Sequence, residues 1–156
     1  MKLMASDVTY INCKCDFTNF IIDISLPITM LADDSASGKS FLFAACQAVF
    51  FEIYNMTLIT YDGNADKVKR DIENSHNAIV VFDRFDMYPT DTFSDTILAN
   101  TSNKYLLLGR YPGRLPLKEC AYKSLKFTKP NIIHTDNITD GKLQELLQVQ
   151  DTYLIG

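Results

Sequence analysis

The chain has 156 residues, 47% of them hydrophobic, which is enough for one compact domain spanning 1–156 with a real core and too little for two ordinary ones. A formal charge of −4 and a pI near 5.0 exert no global pull towards polyanions, so nucleic acid is not indicated as a partner. No stretch approaches the roughly 18 apolar residues of a membrane span, and Met1-Lys2-Leu3-Met4 is followed by polar residues where a secretory leader has its apolar run.

Cys13, Cys15, Cys46 and Cys120 are spaced like neither a zinc site nor a disulfide framework. A cytoplasmic protein with buried, reduced thiols and no membrane partner is the expectation.

Val8–Cys15 and Phe20–Leu26 flank Asp16-Phe17-Thr18-Asn19. The second run alternates, with Phe20, Ile22, Ile24 and Leu26 on one face and Asp23 and Ser25 on the other, which predicts a hairpin with one wet face. Pro27 breaks the ladder. Ile28–Ala32 then reads as a buried strand, followed by a small-residue turn and a helix from Gly38 to about Asn55 that is apolar nearly all round, with Gln47 and Glu52 as its few polar positions.

Strand, small-residue turn and helix is the layout of a phosphate-binding loop. Backbone N–H groups of the turn wrap the phosphates, the Lys after the last glycine reaches the β/γ oxygens and the next hydroxyl ligates Mg²⁺. Asp33, Ser35, Ala36, Ser37, Gly38, Lys39 and Ser40 occupy those positions, with Lys39 as counter-charge and Ser40 as metal ligand. The pattern G-x-x-x-x-G-K-[ST] has glycine where this chain has Asp33, so the motif is degenerate.

Met56–Tyr61 predicts a second strand of the α/β series, stopped by Asp62-Gly63. Asn64 can cap the next helix, which turns Ala65, Val68 and Ile72 inward and Lys67, Lys69 and Arg70 outward. Ala78–Phe82 is a continuous apolar run ending in Asp83. A carboxylate at the end of such a strand, downstream of a phosphate loop, completes the Mg²⁺ shell opposite Ser40. Thr90 or Asp91 caps a short helix carrying Phe93, Ile97 and Leu98. Tyr105–Leu108 is a further strand running into Gly109-Arg110, which brings Arg110 to the strand-end edge where ligands gather in α/β sheets. Ala121–Phe127 and Asn131–His134 are strand-like, and a helix is expected from Asp140 to Val149.

On ADDSASGKS and IVVFD the chain resembles the P-loop NTPases over about Phe20–Arg110, in the branch of the ATP-binding-cassette and AAA-type ATPases. The resemblance implies a three-layer α/β fold with a mainly parallel central sheet and the antiparallel hairpin at one edge. The Tyr105 strand would then lie between the Ile28 and Ala78 strands. It also implies Mg²⁺ with ATP or GTP as cofactor and ligand. Such ATPases place a Glu after the Mg²⁺-binding Asp, whereas this chain has Arg84, with Asp86 as the nearest carboxylate to act as base and Arg110 as a phosphate contact. The expected function is a small nucleotide-binding protein with weak or absent hydrolysis. The alternative is an interaction protein that keeps the fold around a vestigial phosphate site, and a protein partner or a homodimer is left open.

Overall fold

The computed structural model describes residues 1–32, 36–60, 62–85, 90–109 and 120–145, by backbone alone at 36–37 and 90–94. After a 3₁₀ turn at Ala5–Asp7 come β1 (Tyr10–Cys15), β2 (Thr18–Asp23) and β3 (Ile28–Leu31). Helix α1 (Ala36–Ala45) continues through a π-helical segment, Cys46–Phe50, into a last helical turn, α2 (Phe51–Ile53). The chain proceeds through β4 (Met56–Ile59), α3 (Ala65–Glu73), β5 (Ile79–Phe82), α4 (Thr90–Ala99), β6 (Lys104–Leu108), β7 (Cys120–Thr128) and β8 (Ile132–Asn137).

The eight strands among the described residues belong to one sheet, in the order β1-β2-β8-β7-β3-β6-β5-β4. From β4 to β7 the neighbours run parallel. Beyond β7 they do not: β8 is antiparallel to β7, and β1 is antiparallel to β2, which itself runs parallel to β8. As expected, β6 lies between β3 and β5. The expectation of a mainly parallel, three-layer P-loop-like sandwich is corrected, because the sheet is mixed and curled, a half-barrel with short helices.

The physical reason lies in how the first hairpin and α1 are buried. β8 folds back on β7 and offers its other edge to β2, where Asn19, Phe20 and Ile21 pair with Ile132, Ile133 and His134. The hairpin therefore extends the sheet through β8, and its apolar side, Ile11, Phe20 and Ile22, packs into one core with Leu42, Cys46 and Phe50 of the helix. Phe20 meets Phe41 and Phe50 with ring centroids 5.4 Å away in each case, and the Tyr54 hydroxyl accepts from Asn12 N at 3.1 Å. The curl covers Leu42, Cys46 and Phe50 of this helix, while Phe41, Ala44, Ala48 and Phe51 on its outer side stay exposed although the helix is apolar nearly all round. Burying a side chain such as Phe20 contributes about 1.5–3 kcal/mol.

The middle strands β3 and β5 are buried at every position. Successive residues alternate between two cores, Leu31, Ile79 and Val81 joining the α1 cluster while Met30, Val80 and Phe82 join Val68, Ile72 and Ile97 of α3 and α4. Asn64 caps α3 as expected, accepting from Lys67 N at 3.0 Å. Helical backbone resumes at 140–145.

Candidate functional site

Because β3, β6 and β5 are parallel, their carboxyl ends share one edge of the sheet. Leu31 is level with Leu108, and Phe82 with Leu107, so Asp83 reaches the level of Leu31 two strands away, about 10 Å at ordinary strand spacing. Strand β3 delivers the chain to this edge and α1 leaves from it.

Gly38, Lys39 and Ser40 lie in the first turns of α1. Lys39 is only 9% exposed, and its ammonium donates to the Gly109 carbonyl, just past the end of β6, at 3.0 Å. Gly109 N in turn donates to Leu31 O at 3.3 Å. The lysine thus spans the ends of β3 and β6, and the carbonyl it meets is 70 residues away in sequence. Gly38 faces β7: a Cβ there would lie 3.4 Å from Leu125 Cδ1, close to ordinary van der Waals contact. Ser40 is exposed.

Asp83 follows β5 directly, and its N–H donates to Ile59 O at 2.9 Å. Arg84 takes a left-handed backbone, φ 53°, because the chain must turn at once for fully buried Phe85 to pack edge-on against Phe82, centroids 5.4 Å apart. Partial burial raises the Asp83 pKa, opposed by the Arg84 charge and by a backbone hydrogen bond from Arg84. A carboxylate held against its preferred ionisation is one that a cation would relieve.

No hydrogen bond joins Ser40 to Asp83 among the described residues. Asp33, Ser35, Asp86 and Arg110 lie outside the described residues, and Ala36 and Ser37 are described by their helical backbone. Among the described residues no three His, Cys, Asp or Glu side chains form a metal-binding group. Ser40 and Asp83 are the oxygens that the sequence motif offers to Mg²⁺, an ion that takes one or two protein oxygens and completes its octahedron with phosphates and water.

Two features escape sequence reasoning. The Gly109 carbonyl is invisible because backbone acceptors carry no residue signature. Beside Gly38 opens a groove bounded by Phe41 and Phe127; its only sequence trace is an aromatic ring between Lys126 and Thr128 near a strand end. Compared with protein-family models and with curated proteins, the chain matches none.

Proposed function

We propose that this protein binds ATP or GTP with Mg²⁺ at the shared carboxyl edge of β3, β6 and β5, and hydrolyses it weakly or not at all. The observation that carries the reading is Lys39, an ammonium buried in the first turn of the helix that leaves β3, on the edge that also carries Asp83. Lys39 supplies the counter-charge for the phosphates, and the N-terminus of α1 adds its dipole. Ser40 and Asp83 supply the protein oxygens for Mg²⁺. Weak turnover follows from Arg84, an exposed cation where the resembled ATPases carry a water-polarising Glu.

Calorimetry with MgATP and MgGTP tests it. Wild type is expected to release binding heat that Lys39→Ala abolishes. Absence of heat in wild type at millimolar nucleotide overturns the proposal.

One observation favours a second reading, an interaction protein with a vestigial phosphate site: the Lys39 ammonium already donates to Gly109 O and ties two strand ends together. Under that reading wild type binds no nucleotide, and Lys39→Ala lowers the melting temperature by leaving a buried carbonyl without its donor. No helix among the described residues is long and apolar enough to cross a membrane.

A further inference from the structure

The curl leaves a groove of about 470 Å³ between α1 and the outer strands, within the size range of small-molecule sites. Strand alternation builds it. Leu125 and Phe127 share a face of β7 and Phe127 pairs with Ile133, which is level with Phe20, two residues along from Thr18. All these side chains therefore face the inner side of the sheet, and Gly38 and Phe41, three apart on α1, close the groove opposite them. Its floor, Leu125 and Ile133, is buried. Its aromatic walls are not, with Phe41 37% and Phe127 59% exposed. Phe41 is held from behind by Phe20, the two rings tilted by 34°.

We propose that this groove seats the base and ribose of the nucleotide, an inference that rests on the nucleotide-binding reading above. Continuity with the phosphate site identifies the occupant: the groove begins at Gly38, and the next residue is Lys39. A ligand anchored by phosphate at the first turn of α1 and extending along this side meets two exposed rings, and a flat nucleobase is the part of a nucleotide that gains from stacking on them. Thr18 brings a hydroxyl to the lining, suited to a ribose oxygen, whereas Lys126, between Leu125 and Phe127 on β7, belongs to the opposite face by strand alternation. Among the described lining residues no buried donor or acceptor is aimed inward to read a base edge. Recognition is therefore by ring area, so ATP and GTP bind alike, within about threefold, and both bind more tightly than UTP.

Titration of the intact chain with MgATP, MgGTP, MgUTP and Mg-tripolyphosphate, for wild type and Phe127→Ala, tests this. The variant is expected to lose about tenfold in affinity for ATP and GTP and nothing for tripolyphosphate, in keeping with the contribution of one stacked base. Phe127→Leu, which keeps apolar volume without a ring, is expected to show most of the same loss and guards against a folding artefact. Unchanged nucleotide affinity in both variants, or equal weakening of nucleotide and tripolyphosphate, overturns the inference. Wild type that binds ATP no better than tripolyphosphate removes the groove and leaves the phosphate site standing. Wild type that binds no nucleotide removes both.

Discussion

At the scale of single residues, two positions carry a cost that the rest of the fold sustains. The Thr29 hydroxyl is buried in the middle of β3 and has no hydrogen-bond partner among the described residues. Thr29→Val removes an unsatisfied polar atom at nearly constant volume and is expected to stabilise the protein by about 1 kcal/mol, read from urea denaturation midpoints at constant slope. A loss of stability would show that the hydroxyl has a partner the geometry does not reveal. Asp83 carries the second cost. Its pKa is raised by burial, so the folded protein holds this proton more tightly than the unfolded chain does. The associated stability is complete below the ordinary value of 3.8 and is lost as pH rises through the folded value. Asp83→Asn is accordingly expected to melt at a higher temperature than wild type at neutral pH, with the advantage gone at about pH 3. An advantage of equal size at both pH values would mean that packing, not charge, is responsible. Under the proposed function the same variant loses the Mg²⁺ dependence of nucleotide binding.

At the scale of elements, Phe20 is the side chain on which the curl turns. It is fully buried, it contacts Phe41 and Phe50 on the helix, and its strand pairs with β8. Phe20→Ala is expected to cost about 3–5 kcal/mol, and under the proposed function, because Phe41 leans on the same ring, the variant also weakens nucleotide binding at temperatures where it remains folded. Loss of stability with unchanged binding would separate the hairpin from the groove. The elements themselves were largely legible, because each short buried strand is an unbroken apolar run between turn signals, as in Ile79–Phe82, and the α3 cap is written locally at Asn64. Partnership between distant elements was not. Nothing in Asn131–His134 names β2 as its neighbour, since strand pairing depends on edges that residue patterns do not encode, and for that reason the residue pattern predicts a mainly parallel sheet with the hairpin at one edge where the fold has a mixed, curled one. The π-helical turn at Cys46–Phe50 was equally hidden, because an apolar stretch reads the same at either helical pitch. At the candidate site, Lys39 and Asp83 are legible as a local motif and a strand end, whereas the Gly109 carbonyl beside Lys39 needs the fold.

At the scale of the whole molecule, the question is whether the outer arm of β1, β2 and β8 is a flap on a separately stable parallel unit or part of one cooperative structure. Two arguments favour a single unit. The arm shares its core with α1, so opening it would expose Leu42, Cys46 and Phe50 along with Ile11, Phe20 and Ile22. The parallel unit is also tied into the arm by a hydrogen bond from the Lys104 ammonium to the Val8 carbonyl, while Lys123 of β7 approaches Asp23 at 3.7 Å. The free cysteines provide native probes of both regions: Cys15 is buried in β1, Cys46 in the helix and Cys120 at the start of β7. Burial raises the thiol pKa at all three, to about 12 at Cys46 and at Cys120 and in the same direction at Cys15, so none reacts as a thiolate without opening. Alkylation across a urea series, resolved by peptide mass spectrometry, is expected to give the same opening free energy and the same urea dependence for all three, equal to global unfolding. Cys15 labelling at distinctly lower urea than Cys120, with Cys46 following Cys15, would instead show that the arm and the helix it covers open as a sub-global unit. In that case the groove beside Gly38 would come and go with the arm while the ends of β3, β5 and β6 stay in place.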